Sequence, residues 1–364
     1  MSRARSRDRR VYLRSHPILF ALLAATRHRP TIRVGRTVLV HDREAYLTAL
    51  TRVRLDRTAV GTTGGAAGRL AGPGVLFDQQ GHDHRATRRT AADLLDAAAV
   101  ERARPAWREL LAARLAAGGE IDLVPLAVEL AGATAAALLG LAADPVRLAE
   151  AAREAAAAAA RAHLPGIARR RADGRAEAAV NRLLDLVAGP LAATFAVAAI
   201  STTVAALPRT AAWACDDGLW DFAATHPQAL ADELLRVVAP TPLLPRVPAV
   251  EAFLVQPRPG DGAAGRCPVR PGDRMLLVAR HAADAHRRDP DPLRPAPARE
   301  ARLIFGAGPH ACPGARLARV QTADFLAALA PLRPVVVRAR ADRHSALPGW
   351  ASLVVRPTAT GSGG

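Results

Sequence analysis

The stretch Phe305-Gly306-Ala307-Gly308-Pro309-His310-Ala311-Cys312-Pro313-Gly314 stands directly before a segment with helix-forming composition. Three glycines and two prolines around one cysteine describe a tight loop whose backbone can approach a flat ligand closely. The cysteine lies at the N-terminus of the predicted helix, where partial positive charge stabilises a thiolate, the form that binds metal. One cysteine cannot hold zinc or an iron–sulfur cluster alone, whereas a porphyrin supplies four nitrogens and needs one strong axial ligand.

This loop resembles the haem loop of the cytochrome P-450 family of haem-thiolate monooxygenases, F-G-x-G-x-H-x-C-x-G, and fills every fixed position of it. The resemblance implies that Cys312 is the ligand of a haem b iron (iron protoporphyrin IX), and so is both metal-binding and catalytic. It also implies that Phe305 and Gly314 contact the haem and that His310 donates to a haem propionate. The alternative is a buried structural cysteine in a Gly/Pro loop.

Three further motifs support the resemblance. Glu233-Leu234-Leu235-Arg236 fits the family's E-x-x-R, in which two charges three residues apart share one helical face and form a structural ion pair. Arg246 matches the arginine on the following strand that contacts a propionate. His84 and Arg88 match H-x-x-x-R, a second propionate clamp, and two cations for two carboxylates suit a buried haem because an unpaired buried charge is costly.

The segment Ala198-Ala199-Ile200-Ser201-Thr202-Thr203 is similar to the family's oxygen-activating A-G-x-[D/E]-T-T. The resemblance implies that the hydroxyl of catalytic Thr202 passes protons during dioxygen activation. The match is incomplete, since Ser201 replaces the acid and Ala199 replaces the glycine. Pro208 is expected to kink or end this helix early. Without the family pattern, these hydroxyls would be expected to bond back to their own helix.

An apolar small-molecule substrate is expected, in bacterial specialised metabolism. The predicted pocket residues are Phe195, Ala198, Ala199, Leu243 and Leu244. Soluble family members receive electrons from a ferredoxin and a ferredoxin reductase, and Arg316 and Arg319 after the ligand loop suit docking of an acidic partner. The alternative to docking, which is equally favoured, is that these arginines form a basic surface that contacts only solvent.

The composition excludes several function classes. The 364 residues carry a formal net charge of +17, and because the sequence contains no lysine, all 50 basic residues are arginine. This is typical of a GC-rich coding sequence, and with 4% aromatic residues it gives no support to nucleic-acid binding. Three unpaired cysteines indicate a reducing compartment, and the apolar run of residues 17–25 is too short to span a bilayer. We therefore expect a cytoplasmic protein that is monomeric and free of membrane.

The predicted fold class is mainly α with a small β subdomain (α+β), in one P-450-like domain over residues 1–364. A hairpin of Thr31–Val34 and Thr37–Val40 precedes a Gly-rich loop at 61–74, a long helical zone at 85–203 and a last helix at Ala315–Ala330. The interval from 141 to 198 is short for the family, which implies shortened lid helices. Arg299 is the candidate to complete the Glu–Arg network.

The two chain ends are expected to lie outside the main domain. Residues 1–16 are predicted to be an arginine-rich extension, and 358–364 a flexible tail. Arg9-Arg10 before Ile18–Leu23 resembles a twin-arginine export signal, and the alternative is a short amphipathic helix that leads into the hairpin.

The resulting hypothesis is a haem-dependent monooxygenase that inserts one oxygen atom from dioxygen into its substrate. The missing acid at Ser201 motivates one alternative, a haem-thiolate enzyme that works with peroxide or by redox-neutral rearrangement. A non-catalytic haem or small-molecule binder is the other.

Overall fold

The computed structural model describes residues 2–71, 78–79, 81–162, 169–257 and 264–358. Its helices are α1 Arg3–Ser15, α2 Pro17–Thr26, α3 Arg43–Thr51, α4 Thr63–Ala71, α5 Gly81–Leu94, α6 Ala97–Ala116, α7 Leu123–Leu139, α8 Pro145–Ala162, α9 Arg169–Leu184, α10 Gly189–Asp217, α11 Trp220–Thr225, α12 Pro227–Val238, α13 Ala279–Ala282, α14 Ala298–Ala301 and α15 Ala315–Leu329. Its strands are β1 Thr31–Val34, β2 Thr37–Val40, β3 Leu55–Asp56, β4 Ile121–Asp122, β5 Leu243–Pro248, β6 Ala252–Pro257, β7 Ala264–Val269, β8 Arg274–Val278, β9 Val335–Ala341 and β10 Trp350–Arg356. Residues 359–364 of the predicted tail lie outside the described residues.

The largest sheet joins the N-terminal hairpin to strands from the second half of the chain. Its order is β1-β2-β8-β5-β3, with β2 parallel to β8 and the other neighbours antiparallel. Two smaller sheets, β4-β10-β9 and β6-β7, complete the strands. The predicted class, a mainly helical body with a small β subdomain built from both chain ends, is confirmed.

The longest helix, α10, continues through Pro208, so the expectation that this proline ends the helix early is wrong. The residues around Pro208 are buried, and α10 packs against α1, α7, α8 and α12. This packing outweighs the lost backbone hydrogen bond, and the helix ends instead at Gly218 in the left-handed region, with φ of 66°. Among the described helices, α10 is long and apolar enough to cross a membrane by length and composition. Of the residues in its most apolar stretch, 44% are buried against neighbouring elements, as in the core helix of a folded domain.

The N-terminal residues are part of the folded body. On α1, Asp8, Val11 and Tyr12 are buried, and the Asp8 carboxylate pairs with Arg209 of α10 at 2.6 Å. Arg9 and Arg10 are exposed on the opposite side of α1. The segment predicted as an extension is therefore packed against the centre of the molecule.

Residues 63–71, predicted as loop, form α4. The hydroxyl of Thr62 accepts a hydrogen bond from the amide of Gly65 at 3.0 Å and so caps the first turn. This cap lets a glycine-rich sequence begin a helix. Further along, α9 is the helix that the described residues show between α8 and α10, and the shortened lid stays a prediction.

Candidate functional site

The Cys312 loop is closed by its own backbone. Gly306 and Gly308 adopt φ of 77° and 69°, conformations that favour glycine, and the amide of Cys312 donates to the carbonyl of Phe305 at 2.7 Å. A Cβ on Gly308 would lie 3.1 Å from the Leu50 carbonyl of α3, so close approach also requires glycine there. The loop then enters α15 directly after Gly314.

The Cys312 thiol is accessible at the loop surface but closely surrounded by protein on its other sides. This burial raises the pKa of the Cys312 thiol, whereas the amide of Gly314 and the charge of Arg88 act to lower that pKa. Pro313 has no amide hydrogen, so the amide of Gly314, one residue further on, is the one that acts on the sulfur. Both influences favour the thiolate, which is the metal-binding form.

Arg88 of α5 joins the ligand loop directly. Its Nη1 donates to the carbonyl of Ala311, next to Cys312, at 2.6 Å. One helical turn earlier, His84 is buried, and the pKa of its imidazole is lowered by burial and then by the charges of Arg88 and Arg57. Arg88 of the predicted pair therefore contacts the loop, and His84 lies one helical turn from it on α5.

Arg246 of β5 is buried and only partly satisfied. Its Nη1 donates to the carbonyl of Pro245 at 2.8 Å, but its Nε has no hydrogen-bond partner among the described residues. Burial lowers the pKa of Arg246, and Tyr46 beside it donates from its hydroxyl to the Leu303 carbonyl at 2.8 Å. Arg246 thus lies near Tyr46, which is bonded to Leu303 two residues before the ligand loop.

Sequence reasoning missed Arg57, a second buried guanidinium near Arg246. Its side chain is 6% exposed, and its Nε also lacks a partner among the described residues. Burial, followed by the charge of Arg246, lowers the pKa of Arg57 to about 10. No motif marks this residue, because it follows the two-residue strand β3 and meets Arg246 only through the pairing of β3 with β5.

This set of residues fits a haem. The thiol supplies one axial ligand, and buried guanidiniums with unsatisfied Nε atoms require anions, which the two propionates of a porphyrin provide. The side chain of His310 lies outside the described part of the structure. The described residues contain no cluster of three or more His, Cys, Asp or Glu suited to a separate metal ion.

One face of α10 is open. Phe195, Ala198, Ala199 and Thr202 are half-buried at the spacing of a single helical face. Val197, Ser201 and Thr203 on other sides of α10 are half-buried too, whereas residues 204–214 are buried. The hydroxyl of Thr202 donates to the carbonyl of Ala198 at 2.8 Å, as expected for a helical threonine, and its oxygen remains able to accept a further bond.

Ser201 lies on another side of α10. Its Oγ is buried without a partner among the described residues and lines a small pocket with Arg153, Asp342 and Trp350. The position at which the family carries an acid is therefore directed toward an arginine and a carboxylate of other elements.

The structure separates the two leucines predicted for the pocket. Leu243 packs against Leu23, Leu39 and Val278 beneath α2, whereas Leu244 packs with the cluster that contains Phe305. Successive residues of a strand point to opposite faces of the sheet. The expectation that Leu243 faces the substrate is therefore wrong, and Leu244 is the one that remains a candidate.

The Glu233–Arg236 pair is fully buried, with oxygen and nitrogen 2.7 Å apart. The Glu233 carboxylate also accepts from the amides of Asp291 at 3.2 Å and Ala296 at 2.9 Å. Arg299 is exposed on α14 and takes no part in these contacts, so its predicted place in the network is wrong. Backbone amides complete the network where an arginine was expected.

The two arginines proposed for docking differ. Arg316 is exposed, whereas Arg319 forms two bonds of 2.6 Å with the carboxylate of Asp232 on α12. Arg319 is therefore already neutralised, and Arg316 is the available cation of the two.

Comparisons with known proteins were made by sequence and by structure. No family model matches the chain, and no curated protein is similar to it in sequence. The solved structure of CalO2 superposes with a TM-score of 0.73 and 23% identity, over 95% of this chain and 97% of that one. P450BioI, solved in complex with a fatty-acid-ligated acyl carrier protein, superposes with a TM-score of 0.73 and 18% identity, over 95% of this chain and 100% of that one. The mycinamicin VIII C21 methyl hydroxylase MycCI from Micromonospora griseorubida superposes with a TM-score of 0.68 and 21% identity, over 92% of this chain and 95% of that one.

Proposed function

We propose that this chain, which has the cytochrome P450 fold, is a haem-thiolate monooxygenase that inserts one oxygen atom from dioxygen into an apolar small molecule. The observation that carries the proposal is the accessible Cys312 thiol at the start of α15, with the Gly314 amide directed at it and buried arginines nearby. A haem held by a thiolate supplies the oxidising chemistry, because electron donation from sulfur favours cleavage of the O–O bond.

The chain's own residues bind and orient the haem. Cys312 would hold the iron, Phe305 and Gly314 would contact the porphyrin, and Arg88, Arg246 and His310 would hold the propionates, with His84 nearby. The bond from Arg88 to the Ala311 carbonyl fixes the ligand loop relative to α5. One guanidinium thereby positions both the loop and the haem edge.

The open face of α10 provides the substrate side. Phe195, Ala198 and Ala199 are apolar and half-buried, and Leu244 is proposed to extend this wall. Thr202 on the same face holds and passes a proton at its Oγ1. MycCI, whose structure contains mycinamicin VIII, is a methyl hydroxylase of this fold, which supports an apolar substrate from specialised metabolism.

Cellular setting and electron supply are part of the same proposal. We expect a cytoplasmic monomer that receives electrons from a ferredoxin and its reductase. Arg316 provides the cation for docking.

A peroxide-dependent activity is the second candidate, because the side chain at 201 is a serine and lies away from the Thr202 face. Product formation with dioxygen, reductase and ferredoxin should be compared with product formation from hydrogen peroxide alone. Higher turnover with peroxide would favour the second candidate.

The central test is the absorption spectrum of the reduced carbon monoxide complex. We expect the red-shifted Soret band of a thiolate-ligated haem in the purified protein and its loss in Cys312→Ala. Cys215→Ala is the matched control, since Cys215 lies in the packed interior at α10 and should leave the band intact. Absence of the band, or its survival in Cys312→Ala, refutes the proposal.

A further inference from the structure

Arg57 and Arg246 form a cross-strand pair of like charges. In the antiparallel pairing of β3 with β5, Leu55 lies opposite Pro248 and Asp56 opposite Val247. Continuing that register by one residue places Arg57 opposite Arg246, and directly opposite residues share one face of a sheet. Both side chains are at least nine-tenths buried.

The pair is costly as it stands. Like charges opposite one another destabilise a sheet, and each guanidinium keeps a buried Nε without a partner among the described residues. The carboxylate of Asp78 acts to raise the pKa of Arg57. Burial and the charge of Arg246 outweigh this effect and lower the pKa of Arg57 to about 10. A guanidinium is too strong a base to lose its proton in a protein at neutral pH, so both residues are cationic and the pocket requires further negative charge.

The position of the pair identifies that charge. The charge of Arg57 acts on His84 of α5, and Arg246 lies near Tyr46, whose hydroxyl donates to Leu303 two residues before the ligand loop. The two arginines therefore lie among the residues proposed to hold the haem propionates. A guanidinium suits this task because its planar fork can donate two parallel hydrogen bonds to one carboxylate.

We propose that Arg57 is a propionate-binding residue that shares the haem carboxylates with Arg88 and Arg246. This inference rests on the proposed function, because it requires that the chain bind haem. In this arrangement the propionates neutralise a pair of buried arginines, so haem binding relieves a repulsion built into the sheet.

The test is the rate at which the holoenzyme loses haem to excess apomyoglobin, followed by absorbance. Arg57→Gln should accelerate loss of haem about tenfold or more, and Arg57→Lys, which keeps the charge without the fork, should fall between Gln and wild type. Arg54→Gln is the matched control, since Arg54 is exposed three residues earlier in the same segment, and should leave the rate unchanged.

A second arm uses haem dimethyl ester, in which both propionates are uncharged. If Arg57 acts through the propionates, wild type and Arg57→Gln reconstituted with the ester should lose it at rates within about twofold of one another. Equal acceleration for haem and for the ester would show that Arg57 only supports the fold and would overturn the proposal, as would an unchanged rate with ordinary haem. If Arg57→Gln does not fold, the loss of haem and the loss of its dimethyl ester are compared between Arg57→Lys and wild type instead.

The possible results distinguish failure of this inference from failure of the proposed function on which it rests. A wild-type protein that takes up no haem, or shows no thiolate-type carbon monoxide spectrum, refutes the proposed function. A wild-type protein with that spectrum, together with an Arg57→Gln variant that retains haem as wild type does, refutes only the assignment of Arg57.

Discussion

The carboxylate of Asp8 and the guanidinium of Arg209 form an ion pair whose side chains are 2% and 1% exposed, and this pair fastens α1 to α10. Arg280 also approaches Asp8, at 3.3 Å, and both guanidiniums stack on the ring of Tyr12. Removing one partner of a buried pair leaves the other charge uncompensated, which costs about 3–5 kcal/mol. Asp8→Asn should therefore lower the free energy of unfolding by about that amount in urea titrations.

The control for this prediction lies on the same helix. Arg9 is exposed, so Arg9→Gln should leave the urea midpoint where it is. An Asp8→Asn midpoint equal to that of wild type would show that α1 contributes nothing to the stability of the body.

Glu233→Gln should be strongly destabilising. The carboxylate receives bonds from Arg236 and from the amides of Asp291 and Ala296. The amide nitrogen of glutamine would face these donors, so we expect a loss of about 3–5 kcal/mol in chemical denaturation. Glu154→Gln, which removes an exposed pair with Arg182, should cost less than about 1 kcal/mol. Equal effects of the two variants would contradict this account.

Stability should fall below neutral pH because of three neighbouring histidines. Nδ1 atoms of His41 and His281 lie 2.8 Å apart, and the rings of His281 and His286 are 4.7 Å apart. Burial lowers the pKa of His41 to about 4, of His281 to about 2 and of His286 to about 3. Below pH 6.5 the unfolded chain therefore binds protons that the folded chain does not, and stability is lost as the pH falls.

The expected slope is roughly 1 kcal/mol per pH unit for each histidine between pH 6 and pH 4. Urea midpoints measured across this range provide the test. His281→Leu should reduce the slope, whereas His82→Gln, at an exposed position, should not. A slope that His281→Leu leaves unchanged would rule out the cluster as its source.

Electron delivery should depend on Arg316 more than on Arg319. Arg316 is exposed and Arg319 is paired with Asp232. Arg316→Glu should slow reduction by an acidic ferredoxin at low ionic strength, with the difference shrinking as salt screens the charges. Stopped-flow reduction measures this, with Arg147→Glu, an exposed change on α8, as the control. Identical salt-dependent kinetics in the three proteins would exclude docking at Arg316.

Thr202→Ala should uncouple electron use from product formation. The variant removes the hydroxyl on the open face of α10, so we expect at least a tenfold fall in product per electron and a matching rise in released hydrogen peroxide. Thr203→Ala, at the next position round the helix, is the matched control. Unaltered coupling in Thr202→Ala, with full haem content, would remove Thr202 from proton transfer.

Local chemistry made part of this molecule predictable from its sequence. The hairpin Thr31–Val34 and Thr37–Val40 has the predicted bounds, and the last helix ends one residue before the predicted Ala330. The Glu233–Arg236 pair follows from its i, i+3 spacing. These features depend on residues that are neighbours in sequence.

Features that depend on contacts between residues far apart in the sequence were not predicted. Arg57 depends on the pairing of a two-residue strand with β5, and Leu243 faces away from Leu244 because of that same strand. The continuation of α10 past Pro208 depends on packing by other helices. Arg299 stays outside the Glu–Arg network because backbone amides of the preceding loop occupy the carboxylate first.

The order of strands in the largest sheet constrains how the protein is made. β2 pairs in parallel with β8, and β3 pairs with β5, so one edge of the β1–β2 hairpin and the whole of β3 have no partner while the first two hundred residues leave the ribosome. Such distant pairings form slowly, since closing a long loop costs entropy before any contact compensates. Arg57 and Arg246 therefore meet late, and Cys312 is synthesised later still. We expect a porphyrin to be loaded only near the end of synthesis, with the free edge of β2 and the unpaired β3 dependent on chaperones until then.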